Sequence, residues 1–346
     1  APSGPDGPVR PADEPRGSRH VLTLAAGSTV LVLLAFVTPL ATGVRTAAAL
    51  HAGPAGLTWM LSAMSVVLTA GVLADDRGRR RTFVAGLVLL GAASAVAGAA
   101  GHPGVVIAAR LVEGLGGAAV LAGGLGMIGH AYPTGPARAR AAAIWGAAVG
   151  AGTGLGGIVA VVLDGAEGSW RVTYAATAVA ALVLAVVALR LLPESATTTP
   201  RPVDLAGVVL LAAGMGALLA GLVESRSGTP WASMALLVAG AALLGAFVAV
   251  QARRRAPLID LALFRSRGFV AATVGALVAG IGVVGVVSYV PTVLQRGLGA
   301  ALPAVMVLML VWSVVGTATS WLLRRAHTIS GRLLLVVSLG VSAAGL

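Results

Sequence analysis

The sequence has no cysteine and no lysine. Without cysteine there is no disulfide framework, no thiolate metal site and no cysteine nucleophile. Charge of either sign is scarce: Asp, Glu and Arg together make 10% of the 346 residues, against about a quarter in soluble domains. Apolar residues make 58%, and the mean hydropathy is +0.95. These figures exclude a soluble globular enzyme, a disordered protein and a nucleic-acid-binding domain, so no nucleic-acid partner is expected. No G-x-x-x-x-G-K stretch is present, so no phosphate-cradling ATP loop is expected either. The five histidines, His20, His51, His102, His130 and His327, form no pair with metal-ligand spacing. No metal and no cofactor is called for.

What is present is a ladder of apolar runs. A helix needs about 20 apolar residues to cross a hydrocarbon core of about 30 Å. Apolar runs stand at Val21–Val44, Leu57–Ala74, Thr82–Ala100, Val105–Ile128, Ala141–Leu163, Val172–Leu189, Leu205–Val223, Trp231–Val250, Phe269–Leu294 and Leu302–Leu323. A shorter run, Leu333–Leu346, reaches the last residue. The expectation is an all-α polytopic membrane protein with ten full spans and a partial eleventh. Barrel strands are excluded, since the runs are too long and do not alternate. The first run is too long for a signal peptide and another span follows it. Residues 1–20, rich in Pro, Gly and charge, read as a disordered cytoplasmic tail. The chain opens on Ala1 rather than Met, which points to trimmed ends.

All 24 basic residues are arginines, and the net charge is +12. They cluster in short loops between the runs, a topology signal rather than a nucleic-acid face. With the N-terminus inside, nineteen arginines fall on the cytoplasmic side and four (Arg45, Arg171, Arg226, Arg296) on the other. Arg110 alone lies within a span. This asymmetry predicts a cytoplasmic N-terminus in a multi-pass protein of the cell membrane, with the lipid bilayer as its surroundings.

Between the second and third runs stands Gly71-Val-Leu-Ala-Asp75-Asp-Arg-Gly78-Arg79-Arg80-Arg81. Gly78 permits a tight reversal there, and arginines open the next helix. The ordered string G-x-L-A-D-x-x-G-R-R resembles the signature loop of the major facilitator superfamily of secondary transporters. The resemblance implies that Gly71, Asp75, Gly78, Arg79 and Arg80 form a cytoplasmic gate, in which Asp75 and Arg79 act as a charge latch. In the fourth run, Arg110-Leu-Val-Glu113-Gly114 resembles the family's R-x-x-Q-G motif, with Glu in the Gln place. In the fifth, Trp145-Gly146 through Gly150, Gly152, Gly154, Gly156 and Gly157 resembles its glycine-rich antiporter motif. Gly157 stands where Pro is usual. Ala160 and Val161 replace the final glycines.

Asp204-Leu-Ala-Gly207, Arg253 to Phe264, and Tyr289-Val-Pro291 with Leu294-Gln295 look like the fourteen-helix drug:proton antiporter branch. The Asp usual in that branch's first helix is absent, as Val21–Val44 holds no acid. The resemblance implies a major-facilitator-type helical bundle with an N-terminal six-helix bundle over 21–192, a linker carrying two extra helices over 193–267, and a C-terminal bundle over 268–346. That last bundle would lack three helices and the rest of the eleventh, so the chain is expected to be C-terminally incomplete.

Of twelve acids, only Glu113 lies deep, about 13 Å into its run at 1.5 Å per residue. Arg110, three residues earlier, shares its face. An ionisable residue within a membrane marks an ion pathway by default, so Glu113 is the proton-binding candidate and Arg110 its partner. A permanently satisfied structural pair is the other reading of the same residues. Gly146, Gly150 and Gly156 are candidates for gating or for close helix approach. Trp59, Trp145, Trp170 and Trp231 are expected as interfacial anchors. Tyr289, Gln295 and Trp312 are the substrate-contact candidates, with ordinary packing as their alternative. The implied function is export of amphipathic organic molecules, such as drugs or antibiotics, in exchange for protons, by a monomer. A non-transporting fragment of such a transporter, or an intramembrane enzyme, are the alternatives.

Overall fold

The computed structural model describes residues 16–68, 78–167, 169–192, 204–225, 229–254 and 261–279, with isolated positions between 290 and 318. The described residues form helices and no strand. They are α1 (Arg16–Ala49), α2 (Pro54–Leu68), α3 (Arg79–Ala99), α4 (Pro103–Ala131), α5 (Gly135–Glu167), α6 (Trp170–Leu191), α7 (Leu205–Glu224), α8 (Pro230–Arg253) and α9 (Arg267–Ala279), with a 3-10 turn at Leu261–Arg265 before α9. Seven of them (α1 and α3 to α8) are long and apolar enough to cross a membrane, and α2 holds a shorter apolar stretch, Pro54–Val67. The boundaries follow local chemistry. Pro54, Pro103 and Pro230 stand first in α2, α4 and α8, where a missing N–H costs nothing. Gly78, at φ 105°, turns the chain into α3 in a conformation other residues adopt only under strain.

Helix α1 differs most from its apolar run. It begins at Arg16, inside the segment expected to be tail, buries Ser18 and continues past Arg45 to Ala49. It also contains Pro39. Four of its threonines fold back on the helix: Thr29, Thr38, Thr42 and Thr46 each donate to the carbonyl four residues earlier, at 2.7–3.3 Å. A hydroxyl that satisfies itself in this way can sit in an apolar interior without a partner helix.

Helix α4 packs on α1, α2 and α3, and α3 packs in turn on α6. One apolar core joins Leu24, Ala25 and Val32 of α1 to Phe83, Leu87 and Leu90 of α3, Val120 and Met127 of α4, and Ala181 and Ala185 of α6. A second, at the opposite end, joins Ala47, Leu50, Met60, Ala97, Val106, Trp170 and Tyr174. In lipid the helices gain little by hiding apolar surface from one another, so close backbone approach holds them. Glycines provide that approach. A Cβ on Gly116 of α4 would come within 2.7 Å of the Leu90 amide nitrogen and 2.8 Å of the Gly86 carbonyl on α3. The outward faces of α3 and α6 are aliphatic, with Val88, Val96, Val179, Val183 and Val186 exposed, as bilayer-facing helices require.

Trp170 is buried, not an interfacial anchor: it meets Tyr174 edge-on at 5.9 Å between ring centroids. Trp145, half-buried, packs against the first core. Arg171 lies 4.6 Å over the Trp170 ring and donates to the Gly98 carbonyl at 2.6 Å, tying the start of α6 to the end of α3.

Helices α7 and α8 form a hairpin against α2. Its open end is closed by Asp204, whose carboxylate accepts from the Gly207 amide at 2.9 Å and from Gln251 at 2.6 Å and pairs with Arg254 at 3.0 Å. Burial pushes the Asp204 pKa up. The Gly207 N–H, the Gln251 amide and the Arg254 charge outweigh that and hold it below the ordinary carboxylate range.

Candidate functional site

The site assembles around a backbone defect. Pro39 has no N–H, so the carbonyl four residues earlier, that of Ala35, loses its helical donor. In lipid such a carbonyl must find a donor elsewhere, and a neighbouring helix can provide it. Arg110 of α4 does so: one terminal nitrogen donates to the Ala35 carbonyl at 2.8 Å, and the other points at the Phe36 carbonyl at 3.5 Å. The nitrogen that reaches Ala35 also donates to Glu113 Oε2 at 2.8 Å. The remaining carboxylate oxygen, Oε1, accepts from Ser94 Oγ of α3 at 2.7 Å. A single chain of hydrogen bonds thus runs from the kink of α1, through Arg110 and Glu113 on α4, to Ser94 on α3.

The arrangement is deeply buried, with Arg110 at 0% and Glu113 at 1% exposure. Taking two ions out of water costs several kcal/mol each, recovered only with good geometry and satisfied remaining lone pairs. Both carboxylate oxygens are satisfied here, and two of the three guanidinium nitrogens are engaged; Arg110 Nε has no partner among the described residues. Tyr174 of α6, in the second core, lies within electrostatic reach of both charges. The sequence pointed to Arg110 and Glu113, and the structure brings them together. It did not single out Ser94 or the Ala35 carbonyl. The signal for the carbonyl was available as Pro39 within an apolar run, because proline always frees the acceptor at i−4.

The other expected residues fare differently. Gly71, Asp75, Tyr289 and Gln295 lie outside the described residues. Gly78 precedes α3; Arg79 and Arg80 stand in its first turn, and Arg80 donates to the Leu189 carbonyl near the end of α6. On α5, which runs unbroken through the glycine-rich motif, the glycines touching α1 are Gly152 and Gly156. A Cβ there would approach the Val30 carbonyl at 2.7 Å and the Val37 Cβ at 2.9 Å. Gly146 has no described atom within 4 Å of where its Cβ would stand, so it makes no close approach to another described helix, and Gly150 is half-buried. Trp312 is 38% exposed.

The chain's relatives are transport proteins. The chain is 35% identical over 257 residues to a probable actinorhodin transporter of Streptomyces coelicolor, covering 72% of this chain and 44% of that protein. It is 30% identical over 256 residues to the tetracenomycin C resistance and export protein of Streptomyces glaucescens, covering 71% and 47%. The chain therefore spans about half the length of the curated relatives it matches. Its fold is also like that of the human organic anion transporter MFSD10 (TETRAN), with a TM-score of 0.53 at 16% identity, covering 90% of this chain and 74% of that one. The family model described as Major Facilitator Superfamily matches residues 20–346. With a multi-helix apolar bundle and a buried ionic chain across its first helices, this protein belongs to the Major Facilitator Superfamily.

Proposed function

We propose that the chain acts in proton-coupled export of drugs or antibiotic-like amphipathic molecules, by alternating access, with Glu113 as the proton carrier. The observation that carries this is the chain from Ala35 through Arg110 and Glu113 to Ser94. An ionised Glu113 holds Arg110 toward α4, while the same guanidinium nitrogen holds the kink of α1. Protonation of Glu113 cancels the ion pair and leaves Arg110 to the α1 carbonyls alone. The α1–α4 contact thereby has two arrangements that differ by one proton, which is what coupling requires. Because the pair is sealed at 0% and 1% exposure, proton entry demands that α1 or α3 move away from α4. Exchange is thus confined to part of the cycle, as an antiporter needs to avoid a leak.

The rest of the proposal is the architecture in which the pair works. It comprises ten full spans and a partial eleventh of the fourteen-helix branch, a cytoplasmic N-terminus in the cell membrane, and a monomer. Residues 21–192 form one six-helix bundle, 193–267 carry two extra helices, and 268–346 belong to the second bundle. Gly71, Asp75, Gly78, Arg79 and Arg80 serve as the cytoplasmic gate, Gly146, Gly150 and Gly156 as the antiporter-motif glycines, and Tyr289, Gln295 and Trp312 as substrate contacts. The names of the actinorhodin and tetracenomycin C relatives support aromatic, antibiotic-like cargo.

A second reading has an observation of its own: both Glu113 oxygens are satisfied and sealed, as a permanent structural tie would be. Everted membrane vesicles separate the two. With an imposed proton gradient, Glu113→Gln should abolish dye accumulation while the purified variant keeps a monodisperse elution profile. Gradient-driven accumulation by Glu113→Gln at the parental rate would establish the structural tie and reject the carrier.

A further inference from the structure

On the far side of α3 from this pair, an open groove of about 510 Å³ lies between α3 and α6. Its walls are aliphatic along the helices (Val84, Val88 and Leu89 on α3, Leu189 on α6), and Arg80 and Arg81 stand at one end. We infer that this groove binds an anionic phospholipid, its phosphate between Arg80 and Arg81 and one acyl chain along Val84, Val88 and Leu89.

Three observations commit the groove to that occupant. First, its polarity is graded along the helix axis. Both guanidinium groups belong to the first turn of α3, where a spanning helix meets the headgroup region, and the lining beyond them is aliphatic. A molecule with a negative head and a long apolar tail matches that gradient. Second, among the described residues the groove opens outward. Val88 and Leu189 are exposed, and the aliphatic surface continues along Val96, Val183 and Val186. Helix α7 packs on α2 rather than over this face. In a membrane-embedded helix pair, such a surface meets lipid. Third, the basic end is fixed in place. Arg80 donates to the Leu189 carbonyl. That acceptor lies in the last turn of α6, where carbonyls have no donor within the helix. The contact bridges the two walls of the groove at its mouth and holds a charged donor where a lipid phosphate would lie. Basic pockets between spanning helices at the membrane surface are the recognised means of holding acidic headgroups.

The test is native mass spectrometry of the full chain, taken from vesicles of phosphatidylcholine and phosphatidylglycerol. One phosphatidylglycerol should remain bound in preference to phosphatidylcholine. Retention should fall about fivefold in Arg81→Gln and about 25-fold in Arg80→Gln with Arg81→Gln, from roughly 1 kcal/mol per arginine near a membrane surface. Because loss of Arg80 also unties α3 from α6, Arg81→Gln and the groove-filling Val88→Trp decide the matter, as neither removes that tie. Val88→Trp should displace the lipid with both arginines intact. Equal retention of the two lipids, unchanged retention in Arg81→Gln, or unchanged retention in Val88→Trp would overturn the assignment. So would full displacement of the lipid by millimolar sn-glycerol 3-phosphate, because the apolar groove would then contribute nothing.

Discussion

If Arg110 stands in for the donor that Pro39 lacks, the two residues must be energetically coupled, and the size of that coupling follows from the geometry. Proline inside a helix costs about 3 kcal/mol relative to alanine, through the lost hydrogen bond and the ring's clash with the carbonyl at i−4. Here that carbonyl, Ala35, receives a guanidinium donor at 2.8 Å, and hydrogen bonds involving a charged group contribute about 1.5–3 kcal/mol. Pro39→Ala restores the main-chain N–H, which then competes with Arg110 for the same oxygen. In the parental chain the substitution should therefore gain at most about 1.5 kcal/mol. In an Arg110→Met background nothing is displaced, and the full gain of about 3 kcal/mol should return. The unpaired Glu113 is common to both Arg110→Met proteins and cancels from the difference. A double-mutant cycle in mixed-micelle equilibrium unfolding should read a coupling of about 1.5–3 kcal/mol between Pro39 and Arg110, 71 positions apart in sequence. A coupling below about 0.5 kcal/mol, the level expected of independent sites, would refute the account of α1 given above and, with it, the route from Glu113 to α1.

Further outcomes follow from the same contacts. Ser94→Ala removes one of the two donors to Glu113 and should cost about 1.5–3 kcal/mol by the same unfolding measurement, with Ser94→Thr recovering part of it. Gly116→Ala places a methyl group 2.7 Å from the Leu90 nitrogen and should cost about 1–3 kcal/mol. Gly146→Ala, with no described atom within 4 Å, should be neutral or stabilise by up to about 1 kcal/mol; equal effects at the two sites would contradict the packing described. Asp204 titrates below the ordinary carboxylate range when folded. Its contribution is therefore fully present above that range and is lost as pH falls through the lowered value. Unfolding measured from neutral to strongly acid pH should show this loss in the parental chain and not in Asp204→Asn, which keeps an N-cap side chain but carries no charge to titrate.

The parts of this protein that were legible in its sequence are those a membrane imposes one residue at a time. Apolar runs of span length and the loop arginines follow from the cost of charge in hydrocarbon, and the described helices α3 to α8 fall on those runs. Glu113 and Arg110 stood out for the same reason: each is expensive where it lies, and three residues of helix bring them together. What escaped notice depends on a second helix. Ser94 is one hydroxyl among many until α3 is laid against α4. Gly152 and Gly156 are two of a crowd of glycines on α5 until the facing residues of α1 are known, and Gly146, equally prominent in the string, faces none of the described helices. Pro39 is the instructive case. Its consequence for Ala35 is local and could be read directly, but the donor that answers it is 75 residues away on α4. A proline, an arginine and a glutamate that look like three separate exceptions to an apolar sequence are three members of one arrangement. Proline opens the backbone of α1, arginine closes it from α4, and glutamate supplies the charge that makes a buried arginine tolerable. On the proposed mechanism, that interdependence is what lets the cluster respond to a single proton, since cancelling the charge on Glu113 would change what Arg110 does for α1.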